Sequence, residues 1–160
     1  MDGRTAKPLR ILVAEDDPAD VRLTREGLRE SGVPYDLRVV SDGQQALDAL
    51  FQRGAFRGVP LPDIVLLDLN LPRKNGHDVL REIKCNRALR HIPVIVFSSS
   101  LSEADVAASY DLSANGFVRK PGDLDEMLRV VKAIVNFWGK TAHLSGSAYQ
   151  PVAVAAGAMP

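Results

Sequence analysis

Five short apolar runs, spaced by longer segments of helical period, constrain what this chain can fold into more than any other feature. The runs are residues 11–14, 37–40, 64–67, 94–97 and 117–118. A strand exposed on one face alternates apolar and polar residues. Near-continuous runs such as ILVA, IVLL and VIVF instead fit strands covered by helices on both faces. Residues 19–31, 44–53, 76–86, 102–112 and 124–138 read as helices. Punctuation supports most of these boundaries. Gly32 and Pro34 close the first, Asp42 and Gly43 open the second, Gly54 ends it, Asp123 caps the last and Gly139 stops it. A βα unit repeated five times predicts an α/β domain of (βα)5 type, a doubly wound five-stranded parallel sheet with right-handed crossovers.

One domain is expected over residues 9–138, with a lead-in at 1–8 and a flexible, weakly charged tail at 139–160. Residues 54–62, GAFRGVPLP, form a loop longer than usual, whose glycines and prolines argue against hidden structure. It reads as an insertion or a recognition loop. With 46% hydrophobic and 25% charged residues the composition is that of a globular domain, and one of this length buries about 70% of the surface its unfolded chain exposes. Neither disulfide nor metal is needed for such a chain to fold. Cys85, the single cysteine, excludes an internal disulfide and reads as a packed small residue. Twenty basic residues balance twenty acidic ones, so no bulk positive field favours nucleic acid or an anionic membrane. No apolar run is long enough to span a membrane and no signal peptide is evident, so a cytoplasmic protein is expected. His77, His91 and His143 lack ligand spacing and read as surface residues.

Ligands of open α/β sheets bind beyond the carboxyl ends of the strands. The residues that follow the runs are Glu15-Asp16-Asp17, Asp68, Ser98 and the pair Lys120-Pro121. Four carboxylates in one crevice repel each other unless a cation lies among them. Mg2+ suits a site of a few carboxylates, a backbone carbonyl and water. Asp16 and Asp68 are the expected direct ligands, Glu15 or Asp17 acts through water, and the carbonyl of Asn70 completes the set. A carboxylate beside Mg2+ and a lysine can attack phosphorus to give an aspartyl phosphate. Lys120 and the Ser98 hydroxyl would then stabilise the phosphoryl oxygens. EDDPAD contains no glycine, which argues against a nucleotide-binding loop after the first strand.

Taken in order, ILVAEDDPAD, IVLLDLNLPRKNG, IPVIVFSSS and GFVRKP resemble the receiver domain of two-component response regulators, over about residues 9–138. The resemblance implies a flavodoxin-like sheet of order 2-1-3-4-5. It also implies Asp68 as phosphoacceptor, Glu15 and Asp16 as the acidic pair at Mg2+, Asn70 as carbonyl donor, Ser98 as switch hydroxyl, Phe117 as switch aromatic and Lys120 as the conserved lysine. Pro121 would follow through a cis bond. Phe117 in place of tyrosine removes one hydroxyl from the switch. The loop before the third strand, DLNLPRKNGHDVL, ASYDL and the ending Phe137-Trp138 are most similar to stand-alone receivers of bacterial phytochromes. The resemblance implies a sensor histidine kinase of the bacteriophytochrome kind as donor and a histidine phosphotransfer protein as downstream acceptor.

Phosphorylation would add about −1.5 to −2 charge and draw Ser98 and Lys120 inward. Phe117 could then turn in and alter the surface of the fourth helix, fifth strand and fifth helix. A shift from 1:99 to 99:1 takes about 5.5 kcal/mol of differential stabilisation. The last helix has two apolar series. Met127, Val130, Ile134 and Phe137, with Trp138, exceed one core stripe, which points to a homodimer through this helix or to a wide buried face. Two rival functions stand beside this one. A Mg2+-dependent aspartyl-phosphate phosphatase would need a general acid where Asn70 stands, and a phosphate-independent adaptor would not need the intact pocket.

Overall fold

A computed structural model of the chain describes residues 7–145. Five strands, β1 (Leu9–Ala14), β2 (Tyr35–Val40), β3 (Ile64–Leu67), β4 (Val94–Ser98) and β5 (Gly116–Arg119), pair in parallel in the order β2-β1-β3-β4-β5. Helices α1 (Pro18–Ser31), α2 (Gly43–Leu50), α3 (Gly76–Cys85), α4 (Glu103–Asp111) and α5 (Leu124–Asn136) connect and cover them. The expected fold class and sheet order are thus observed.

The period of two along each strand divides the core into two layers. Leu12, Ala14, Val65, Leu67, Val94 and Val96 face α2 and α3, packing with Leu47, Leu50, Val79, Leu80 and Ile83. Ile11, Val13, Ile64, Leu66, Ile95 and Phe97 face the other way, onto Leu28 of α1 and Met127, Val131, Ile134 and Val135 of α5. The central strands are therefore apolar on both faces. β2, at one edge, is mostly exposed and buries only Val40 fully.

Each helix begins on a side-chain cap that accepts an otherwise unpaired backbone N–H. Asp17 accepts from Ala19, Asp42 from Gln45, Asn75 from Asp78, Ser102 from Asp105 and Asp123 from Glu126. Gly32, at φ +72, closes α1 in the left-handed conformation that glycine adopts without a steric penalty.

Several expectations change. Gly139 does not stop the last helix, because a π-type turn carries Phe137–Thr141 onward, and Leu144 packs on the α1–α5 side of the core. Residues 146–160 of the expected tail, and 1–6 of the lead-in, lie outside the described residues. The loop at 54–62 contains a 3-10 turn, Gly54–Phe56, and its Phe56 and Leu61 pack on the α2–α3 side. Met127 and Ile134 lie in the core and not on a dimer surface, since the face that α5 turns onto the sheet takes them together with Val131 and Val135. Phe137 is exposed, while Val130 and Trp138 are half-buried. Cys85 ends α3 and is exposed, not packed. The Lys120-Pro121 bond is trans, as is every peptide bond among the described residues. Trans is the favoured isomer even before proline, and Lys120 reaches its partners from it.

Helices α1 and α5 pack closely where Gly27 leaves no side chain between them. A Cβ added there would lie 2.7 Å from both Cβ and Cγ1 of Val131. Gly27→Ala is expected to cost about 1–3 kcal/mol by overpacking, seen as a lower urea midpoint. Gly122→Ala, where nothing lies within 4 Å, should leave the midpoint near wild type. Equal midpoints for Gly27→Ala and wild type would refute this account of the packing.

Candidate functional site

The parallel sheet brings the carboxyl ends of β1, β3, β4 and β5 to one rim. Glu15 follows β1 and its N–H donates to the Val40 carbonyl at 3.0 Å. Asp68 follows β3, with its N–H on Ala14 O at 3.1 Å. Lys120 follows β5 and is pinned by its own N–H to Ser98 O at 2.9 Å. Sheet hydrogen bonding therefore sets the backbone of all three residues.

Carboxylate oxygens of Glu15, Asp16 and Asp68 lie within 4.8 Å of one another. Glu15 and Asp68 are buried and Asp16 is exposed, so the cluster opens to water on one side. Lys120 Nζ crosses the crevice, its side chain only 7% exposed, and donates to Asp68 Oδ2 at 3.0 Å, to Asp20 Oδ2 at 2.9 Å and to Glu15 Oε2. It also lies 5.8 Å from the centre of the Phe97 ring. Hard oxygen donors gathered this tightly on a partly open rim fit a divalent cation. Asp17 is not part of the cluster. Its carboxylate caps α1, accepting from Ala19 N–H at 2.9 Å, and its own N–H donates to Glu15 Oε1 at 3.0 Å.

The β3–α3 loop is held against the site by close backbone contacts. Gly76 N–H donates to Leu69 O at 2.8 Å, and a Cβ on Gly76 would collide with the Asp68 carbonyl and lie 2.6 Å from Leu69 Cα. Only glycine permits this approach. Asn70 N–H donates back to Asp68 Oδ1 at 3.2 Å, which orients this carboxylate from its own loop.

Ser98 is fully buried at the end of β4, and its Oγ accepts from Ser100 N–H at 3.3 Å. Phe117 is half-buried against the α2–α3 side of the core. Its backbone N–H donates to Tyr110 Oη at 3.1 Å, so a tyrosine hydroxyl from α4 joins the strand that carries the aromatic residue. His77, expected at the surface, places Nε2 3.1 Å from the Oγ of buried Ser109 and links α3 to α4. Sequence reasoning missed Asp20. It stands within EDDPAD, but pairing it with Lys120 requires knowing where the first turn of α1 meets the end of β5.

Burial pushes the Glu15 carboxyl up to about 7, against the hydrogen bonds from Lys120 and the Asp17 N–H that favour its charged form. Burial also disfavours the Lys120 ammonium, but hydrogen bonds to Glu15 and Asp20 and the charge of Asp68 outweigh it and hold this group above the usual lysine range. The two directions have different causes. Loss of solvation raises the Glu15 carboxyl, with the Asp68 charge adding least, whereas the surrounding carboxylates hold the proton on Lys120.

A pH dependence follows for the metal-free protein. The Glu15 carboxyl has a folded value near 7, above its ordinary 4.5, so its contribution to stability is complete below 4.5 and is lost as the pH rises through 7. Between these limits, with a chelator present, wild type should lose melting temperature relative to Glu15→Gln. Parallel pH profiles for the two proteins would refute this.

The family model described as the response regulator receiver domain matches residues 11–132. Response regulator Rcp1 of Synechocystis is 41% identical over 144 residues, covering 90% of this chain and 98% of that protein. The Mn2+-bound form of Rcp1 superposes with a TM-score of 0.82 at 42% identity, over 86% of this chain and 99% of that one. The phosphorylated cyanobacterial phytochrome response regulator RcpA superposes with a TM-score of 0.84 at 43% identity, again over 86% and 99%. The bacteriophytochrome response regulator AtBRR gives a TM-score of 0.69 at 38% identity, over 86% and 98%. A matching sheet order, a carboxylate cluster at its rim and this degree of identity agree, and the chain belongs to the receiver-domain family of response regulators.

Proposed function

We propose that this chain is a response regulator whose Asp68 accepts a phosphoryl group from a sensor histidine kinase, with a bacteriophytochrome as that kinase. The observation that carries the reading is the buried Lys120 ammonium held beside the carboxylates of Glu15, Asp16 and Asp68. The likeness to RcpA and AtBRR, both phytochrome response regulators, supports the choice of kinase.

In the transfer, the P–N bond of a phosphohistidine breaks as a carboxylate oxygen of Asp68 forms the new P–O bond, and the nitrogen keeps the bonding electron pair. Asp68 is held for attack by the Asn70 N–H on Oδ1, while Oδ2 meets Lys120. Lys120 neutralises charge on the phosphoryl oxygens, and the Ser98 hydroxyl donates to another of them. The bond from Ser100 N–H uses a lone pair of Ser98 Oγ and leaves the hydroxyl hydrogen available for that donation. Glu15, Asp16, Asp68 and the Asn70 carbonyl would hold Mg2+, which when bound offsets phosphoryl charge as a Lewis acid.

The output is a change in the surface of α4, β5 and α5. Ser98 and Lys120 lie at the ends of β4 and β5, and Tyr110 couples α4 to Phe117, so movement at the rim is felt on that face. The protein works in the cytoplasm, and a histidine phosphotransfer protein is a downstream acceptor. Residues 9–138 act as the receiver unit. The same chemistry is limited to this chain's own phosphorylation and dephosphorylation, so the protein is a signalling acceptor and not an enzyme acting on external esters. A homodimer forms through α5, supported by exposed Leu124 and Phe137 and half-buried Val130 and Trp138.

With Mg2+ and a small acyl-phosphate donor, wild type should gain one phosphoryl group by intact mass and Asp68→Asn should gain none. Equal uptake by both would reassign the acceptor. Sedimentation over a dilution series should show a concentration-dependent dimer. A monomer throughout, with and without phosphorylation, would remove the dimer.

A further inference from the structure

Asp20 touches the site from a helix that contributes nothing else to Lys120. It is the third residue of α1, one turn beyond the Glu15-Asp16 pair. Acidic residues in a first helical turn commonly serve only the helix dipole. Here Asp17 caps the helix, and the Asp20 carboxylate reaches across to Lys120 Nζ at 2.9 Å, linking residues 100 positions apart. Asp20 is not among the three carboxylates whose oxygens gather within 4.8 Å. Its side chain is 29% exposed and that of its lysine partner 7%.

A lysine ammonium has three N–H donors. In this structure all three go to carboxylates, those of Glu15, Asp20 and Asp68. Two of these partners have other calls on their charge. Asp68 would become an acyl phosphate whose charge moves out to the phosphoryl oxygens, and Glu15 would share its charge with a cation held in the cluster. Asp20, outside that cluster and not the acceptor, has no such second partner there. Without it, the long lysine side chain would be held only by groups whose charge is being redistributed, and the entropy of its rotamers would oppose a fixed ammonium.

We propose that Asp20 is a positioning residue that acts through Lys120, fixing the ammonium over the crevice while the phosphoryl group arrives. This role rests on Asp68 being the acceptor. Asn at this position retains an oxygen that can accept from Lys120 but loses the charge, and Ala loses both, so the two variants separate a lysine anchor from a helix-dipole charge.

The test measures phosphoryl uptake from acetyl phosphate by intact mass, over ranges of donor and Mg2+, in wild type, Asp20→Ala, Asp20→Asn and Asp68→Asn. Asp20→Ala should lower the maximal rate about tenfold, the size expected for losing one charge-assisted hydrogen bond in a largely buried site. Asp20→Asn should recover about a third of the wild-type rate, and half-saturating Mg2+ should move by less than about twofold because Asp20 is outside the cation cluster. A rate for Asp20→Ala within about twofold of wild type overturns the role, as does an equal loss in the Ala and Asn variants. A loss cured by excess Mg2+ also overturns it, because Asp20 would then serve the cation. No uptake by folded wild type removes the acceptor reading itself, a result distinct from normal wild-type uptake with unaffected Asp20 variants. Should Asp20→Ala fail to fold, Asp20→Asn carries the comparison, a maximal rate equal to wild type overturning the role and a fall to about a third supporting it.

Discussion

One ammonium facing several carboxylates is the interaction on which the rest of this site depends. Removing charges from water is costly, and a buried ion pair offsets that cost only when its geometry satisfies the remaining donors and acceptors. Lys120 meets that condition by giving each of its three donors a carboxylate oxygen. Burial itself drives the Glu15 carboxyl toward neutrality, and the carboxylates still outnumber the one ammonium, so the rim suits further positive charge. A crevice left in this electrostatic state is prepared for a cation and a phosphoryl group together, each offsetting what the other adds.

The sheet makes such a crevice possible. Both faces of β1, β3 and β4 are apolar and covered, so polar groups can gather only at the strand ends. Parallel pairing then aligns four strand ends on one rim, and the hydrogen bonds from Glu15, Asp68 and Lys120 backbones to neighbouring strands fix their spacing. The β3–α3 loop is drawn in tightly because Gly76 allows the backbone to return over Asp68. Gly43 does the same on the other side, where it meets the backbone of Lys74 and donates to Pro72 O at 3.2 Å. The Asp68 carboxylate is thus held between the Asn70 N–H on one oxygen and the Lys120 ammonium on the other.

The face formed by α4 is built differently. Its only fully buried residue is Ser109, and it is tied to its surroundings by polar contacts: His77 to Ser109, Tyr110 to the Phe117 N–H, and Arg119 to Glu103 at 2.6 Å. Few apolar contacts and several exchangeable hydrogen bonds are the signature of an element with low local stability. Ser100 joins the rigid centre of the sheet to the loosely attached α4, its N–H donating to Ser98 Oγ and its hydroxyl to Asp105 Oδ2.

The sequence by itself determined the fold class, the order of elements and the identities of most rim residues. Burial on both faces writes continuous apolar runs, and strand ends in such a sheet have one place to go. Asp68, Asp16, Glu15, Ser98 and Lys120 were legible for that reason. Only the tertiary structure decided which side chains meet. Asp17 turned to cap α1 and Asp20 turned to Lys120, a choice between two nearby carboxylates that depends on the angle at which α1 leaves the sheet. The apolar surplus of α5 was resolved in the same way, because the stripe that faces inward is set by its packing on α1 at Gly27 and on β1, β3 and β4, contacts between residues far apart in the chain. Local patterns specify elements. Long-range packing specifies partners, and the chemistry of this rim lies in its partners.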